Sequence, residues 1–142
     1  MAIMEPKTFC LLMAAVYGFF GVTLYGNANF FWGPDSMFAY FEESCFQGQF
    51  FGRALGLMFT SVVLGPFVFG VDPMALTKQY LLWNSLSMIF FVQGAFFRDD
   101  TGPGVNALVP LNLWLPQVAI GATFLVLNIL IVKDAPKGAA MF

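Results

Sequence analysis

The sequence contains no histidine among its 142 residues, and it has only two cysteines, Cys10 and Cys45. Histidine is the commonest metal ligand and general base in proteins, so its absence excludes a His-ligated haem, the usual zinc sites and a Ser-His-Asp triad. Two cysteines that fall on opposite sides of the predicted fold cannot hold an iron–sulfur cluster or form a disulfide with each other. We therefore expect no metal site, no haem and no iron–sulfur cluster.

Charged side chains are also scarce, with six Lys or Arg, eight Asp or Glu and a net charge of −2. No basic patch is present, so nucleic acid is not an expected partner. No glycine-rich phosphate loop occurs. The adjacent carboxylates Glu42-Glu43 and Asp99-Asp100 fall in predicted loops, where solvated surface is a better interpretation than acid–base chemistry. The sequence predicts that the protein is not an enzyme.

Hydrophobic residues make up 59% of the chain, charged residues 10%, and the mean hydropathy is +0.78. Soluble domains have about a quarter charged residues, and about 20 apolar helical residues cross a bilayer core of about 30 Å. The composition predicts an all-α integral membrane protein, one domain over residues 1–142, with four transmembrane helices in a bundle. The predicted helices cover about residues 8–25, 52–71, 79–97 and 113–132, and a short interfacial helix covers about 35–47 in the first loop.

Turn-forming residues set these boundaries. Asn27, Asn29 and the Gly33-Pro34 pair predict a turn after helix one. Pro66 predicts a kink in helix two, and Pro116 is expected in the first turn of helix four.

Basic residues are retained preferentially on the cytoplasmic, stromal or matrix side of a membrane. Four predicted spans bring both termini to one side. The basic residues on that side are Lys7, Lys78, Lys133 and Lys137, and those opposite are Arg53 and Arg98. Both termini are therefore predicted on the stromal, matrix or cytoplasmic side.

Small residues recur at helical spacing in the first two spans, which lets another backbone approach closely. They are Ala14, Gly18 and Gly21 in the first span, and Gly48, Gly52 and Gly56 at the start of the second. We predict that both sets pack helices together, and for Gly48, Gly52 and Gly56 the alternative is the binding of a flat ring.

The uncharged polar residues inside the predicted spans include the amides Asn84, Gln93, Gln117 and Asn128. Ionisable residues persist within spans mainly for transport, and Arg53, at a span end, is the single one predicted there. A pump or ion channel is therefore not favoured. The amides are expected to form hydrogen bonds between helices. The alternative is that Asn84, Gln93 and Gln117 contact a pigment or other ligand.

The stretch GQFFGRALG, residues 48–56, resembles the opening of a light-harvesting antenna helix. The antenna motif needs a Glu and a His or Asn that help to bind chlorophyll, and this sequence has Gly48 and Phe51 at those positions. The chain is therefore not expected to belong to that antenna family.

The stretches NFFWGPDSMFAYF and QFFGRALGLMF resemble small accessory membrane subunits of photosystem I and its antenna in red-lineage algae such as diatoms, dinoflagellates and haptophytes. The resemblance implies a structural subunit in the plastid thylakoid, which contacts other membrane subunits and structural lipids and holds a few chlorophylls or carotenoids. One alternative is a supernumerary subunit of a mitochondrial respiratory complex. A second is a small DoxX-like transporter or oxidoreductase component with a polar cavity between Asn84, Gln93 and Asn128.

Overall fold

The computed structural model describes residues 3–32, 46–96 and 111–134, and within these ranges the chain forms four α-helices and no strand. The helices are α1 (Pro6–Trp32), α2 (Phe46–Val68), α3 (Pro73–Phe96) and α4 (Leu111–Lys133). The all-α prediction is confirmed for this part of the chain. Most of the predicted interfacial helix at 35–47 lies outside the described residues, and its last two positions, Phe46 and Gln47, instead begin α2.

Three of the helices contain segments long and apolar enough to cross a membrane: Pro6–Gly26, Phe50–Val68 and Leu115–Lys133. The protein is therefore membrane-embedded in character. The helix α3 is long enough at 24 residues but is the most polar of the four, because it carries residues such as Thr77, Lys78 and Asn84. The prediction kept Lys78 outside the helix, whereas it lies in the second turn of α3.

The first helix is longer than predicted and continues through Asn27 and Asn29 to Trp32. Asparagine lowers helix stability by well under about 1 kcal/mol per residue, which neighbouring apolar residues easily offset. The described helix includes every residue up to Trp32. The prediction of a turn over residues 27–32 was wrong.

Gly70, Asp72 and Pro73 keep the connection between α2 and α3 short. Gly70 adopts a positive φ of 66°, and the Val71 amide donates to the Pro66 carbonyl at 2.9 Å, which is typical of a glycine-terminated helix. The Asp72 side chain then accepts a hydrogen bond from the Ala75 amide at 2.9 Å, and Pro73 takes the first position of α3. As a result α3 begins at Pro73 rather than near residue 79.

Pro66 and Pro116 both lie in the interior of helices. The helix α2 continues past Pro66 to Val68, and the predicted kink there stays a prediction. Because α4 begins at Leu111, Pro116 lies in its second turn and not in its first.

Successive helices run in opposite directions. The helix α1 packs along α2, α3 packs along α4, and α1 also contacts α3. The Cys10 thiol lies 3.5 Å from the Pro73 carbonyl oxygen, and the Asn128 amide donates to the Thr77 carbonyl. The start of α1, the start of α3 and the end of α4 therefore lie at the same end of the helices.

Candidate functional site

The closest approach between α1 and α2 is made by two glycines, Gly21 and Gly56. A Cβ atom on Gly56 would lie 2.6 Å from the Gly21 carbonyl oxygen and 2.7 Å from the Tyr25 backbone nitrogen. A Cβ on Gly21 would lie 2.5 Å from the Thr60 hydroxyl oxygen and 2.9 Å from the Gly56 carbonyl oxygen. The two backbones therefore touch here, and neither position has room for a side chain.

The other predicted packing residues are less constrained. A Cβ on Gly18 would make ordinary contact with Leu64 at 3.5 Å. Gly52 is buried and Ala14 is half-buried. The surroundings of Gly48 lie outside the described residues.

Sequence reasoning missed a second close approach, at Gly121 in α4. A Cβ there would lie 2.9 Å from the Met88 sulfur and 3.0 Å from the Phe91 ring. Gly121 has no glycine partner at helical spacing, so the small-residue pattern did not single it out. It lets two bulky α3 side chains pack against the α4 backbone.

The polar centre of the protein is a chain of hydrogen bonds between α3 and α4. Asn84 Nδ2 donates to Asn128 Oδ1 at 3.0 Å, and Asn128 Nδ2 donates to the Thr77 carbonyl at 2.9 Å. All three residues are buried. We call Thr77, Asn84 and Asn128 the asparagine bridge. The sequence pointed to Asn84 and Asn128 as interhelical partners but gave no reason to include Thr77.

The three predicted ligand contacts lie on two helices and differ in exposure. Asn84 is buried within the asparagine bridge, whereas Gln93 is exposed on α3. Gln117 is buried in α4 and has an interaction of its own within the protein. A single polar cavity lined by Asn84, Gln93 and Asn128 does not fit this arrangement.

An aromatic cluster lies beside the asparagine bridge and joins all four helices. The Tyr17 ring contacts those of Phe20, Phe59, Trp83 and Phe124, at centroid separations of 6.5, 5.9, 6.3 and 5.7 Å respectively. Phe59 also meets Trp83 edge-on at 5.3 Å. Such tilted and edge-on pairs are favourable ring geometries. The cluster fills the centre with rings, and no charged side chain contributes to it.

Cys10 is a structural residue in this core. Its thiol lies 3.5 Å from both the Thr77 hydroxyl and the Pro73 carbonyl, and the side chain is buried. Cys45, its only possible partner in the chain, lies outside the described residues. Within residues 3–32, 46–96 and 111–134 no three His, Cys, Asp or Glu side chains come together as a metal site would need.

The outer surface of the described helices is rich in large apolar side chains. Phe51, Phe69 and Phe90 are 68%, 83% and 61% exposed. Leu57 and Met58 on α2 and Leu82 and Leu86 on α3 are also exposed. Exposure of so large an apolar surface to water is unfavourable, whereas contact with lipid chains or neighbouring apolar helices is not.

No family of known proteins, no characterised protein and no solved structure matches this chain.

Proposed function

We propose that the protein is a non-catalytic, membrane-embedded subunit that packs against other subunits of a larger complex. The observation that carries the proposal is the distribution of side chains. The described core uses its polar groups to join helices, in the asparagine bridge, and its rings to fill space. Large apolar side chains, including Phe51 and Phe90, face outwards. This arrangement provides surfaces to lipids and neighbours.

The proposal includes α3 as a fourth span, even though it is the most polar helix. Its polar residues Thr77 and Asn84 are buried, where they bond to α1 or α4. Its outward residues are mainly apolar: Leu82, Leu86, Ile89, Phe90 and Phe96. A bilayer interacts with the outward face of a helix, so buried amides that bond to neighbours do not prevent insertion. The outer stripe of α3 thus supports a four-helix bundle in the membrane.

Within that class, photosystem I with its antenna in the plastid thylakoid is the complex we propose. The support is the resemblance of residues 29–41 and 49–59 to accessory subunits of red-lineage algae. In this setting both termini face the stroma, and the outer grooves hold lipids with a few carotenoids or chlorophylls. Of the predicted contacts, the exposed amide of Gln93 is best placed to offer an oxygen to the magnesium of a chlorophyll on the surface.

The test is to purify the tagged protein from native membranes in mild detergent, record the absorption spectrum and identify the proteins that come with it. Chlorophyll absorption together with photosystem I subunits is the expected result. Haem absorption together with respiratory subunits would instead identify a subunit of a mitochondrial respiratory complex. A chain that purifies alone and binds or moves a solute in vesicles would overturn the proposal.

A further inference from the structure

Three buried polar atoms near the centre of the bundle have no hydrogen-bond partner among the described residues. They are the Tyr17 hydroxyl, Trp83 Nε1 and Asn84 Oδ1. Tyr17 and Asn84 are each only 1% exposed. A buried polar group without a partner costs about 1–3 kcal/mol, and about nine in ten such groups bond to protein or ordered water. Three such unpartnered atoms in one small core point to a common cause.

The three atoms belong to neighbouring positions on α1 and α3. Trp83 directly precedes Asn84, and its ring lies 6.3 Å from the Tyr17 ring. The Met13 sulfur, one turn before Tyr17, lies 4.0 Å from Asn84 Nδ2. Aromatic side chains on a helix lean towards its N-terminus, so the Tyr17 hydroxyl extends towards the turn of Met13, where Asn84 lies.

The hydrogen bonds of the asparagine bridge fix which atom of Asn84 is left over. The Asn128 amide nitrogen donates to the Thr77 carbonyl, so the Asn128 oxygen must accept from Asn84. That bond uses the Asn84 nitrogen and leaves its oxygen as the unpartnered acceptor. Exchanging the oxygen and nitrogen of Asn84 would destroy the bridge, and therefore does not explain the unpartnered atom.

The unpartnered set matches the bonding capacity of water. Asn84 Oδ1 only accepts, Trp83 Nε1 only donates, and the Tyr17 hydroxyl does both. A water molecule offers two donors and two acceptors, and an internal water typically makes about three hydrogen bonds. Its donors and acceptors therefore match those that the three atoms lack.

We propose that an internal hydration site lies between α1 and α3, where one water molecule is bound by Tyr17, Trp83 and Asn84. The water extends the asparagine bridge from the α3–α4 pair to α1. It joins the two helical hairpins, in addition to the ring contacts, the Cys10 to Thr77 contact, the weak Met13 to Asn84 contact and the bond from the Tyr80 hydroxyl to the Val63 carbonyl. The ligand class is water itself, held in a core that is otherwise apolar.

The first test is Tyr17→Phe in the full chain in detergent, with the thermal midpoint as the readout. Loss of a water bridge lowers the midpoint by about 2–4 °C. If the site is dry, the variant removes a hydroxyl that had no partner, and the midpoint stays the same or rises, which would overturn the proposal. Tyr25→Phe is the matched control, because Tyr25 is 52% exposed on the same helix and its change leaves the midpoint unaltered.

The second test needs no variant and decides the question if Tyr17→Phe does not fold. A high-resolution experimental structure of the wild-type chain should contain ordered density about 3 Å from both Tyr17 Oη and Asn84 Oδ1. Closely packed side chains without such density would contradict the proposal. A structure in which the Tyr17 hydroxyl bonds directly to Asn84 and the Trp83 N–H points at the Phe59 ring would also contradict the proposal.

Discussion

At the scale of single residues, Asn128 contributes to the core through both ends of its carboxamide. Its oxygen accepts from Asn84 and its nitrogen donates to Thr77, so two helices are joined by one side chain. Interhelical hydrogen bonds in membrane proteins contribute about 0.6 kcal/mol each on average and up to about 1.7 kcal/mol. The two bonds of Asn128 therefore contribute about 1–3 kcal/mol to the attachment between α3 and α4.

Asn128→Leu keeps the branched shape of the side chain, with bulkier methyl groups in place of the amide oxygen and nitrogen, removes both bonds and leaves the Asn84 nitrogen without its main acceptor. We expect the free energy of unfolding in mixed detergent micelles to fall by about 1–3 kcal/mol. Gln93→Leu is the control, because Gln93 is an exposed amide on α3 and its loss leaves the stability unchanged. Equal stability of Asn128→Leu and the wild type would contradict the role given to the bridge.

Gly56 determines how closely α1 and α2 approach. In Gly56→Ala the new Cβ would meet the backbone of Gly21 and Tyr25, which cannot turn away as a flexible side chain would. The helices must separate, and we expect a loss of about 1–3 kcal/mol in the free energy of unfolding.

Gly26→Ala is the matched control, since a Cβ on Gly26 meets nothing within 4 Å. It should be neutral or stabilising by up to about 1 kcal/mol, because alanine favours the helix. If both alanine variants were equally stable, the close contact between α1 and α2 would be contradicted.

At the scale of whole helices, α3 decides whether the chain crosses the membrane three or four times. We expect that single cysteines at Val71, just before α3, and at Phe96, its last residue, are labelled by an impermeant reagent from opposite sides. Both positions are exposed. The background carries Cys45→Ser and keeps the buried Cys10. Labelling of both positions from the same side would mean that α3 does not span.

The four long helices of the described residues were predictable, because long charge-free stretches favour long apolar helices. The boundaries were harder, and the start of α3 explains why. The apolar, charge-free stretch predicted a start after Lys78. The Asp72-Pro73 pair is a helix-start signal that does not depend on hydropathy, and it marks the observed start of α3. Near the end of α1, Asn27 and Asn29 predicted a turn but lie within the helix.

The site was predictable in part for a similar reason. Buried amides in an apolar span must bond to something, which pointed to Asn84 and Asn128 before their partners were known. Packing decides which face of each helix points inwards. The sequence alone therefore did not distinguish the exposed Gln93 from the buried Gln117. The Tyr17 aromatic cluster likewise depends on contacts between residues far apart in the chain.

At the scale of the whole molecule, the described helices hold their charged residues towards the ends. Lys7, Lys78 and Lys133 lie at the end where α1 and α3 begin, and Arg53 lies towards the other end and is exposed. The surface between these ends is apolar and rich in phenylalanine. A surface of this kind suits a position among lipids and other membrane helices.

The most direct test of that account is photo-crosslinking in native membranes, with benzoylphenylalanine placed singly at Phe51, Phe69 and Phe90, all strongly exposed. Unirradiated membranes are the control. We predict that at least one position gives an adduct with another membrane polypeptide, identified by mass spectrometry. Adducts with lipid alone at all three positions, from a chain that migrates as a monomer in a native gel, would contradict the account.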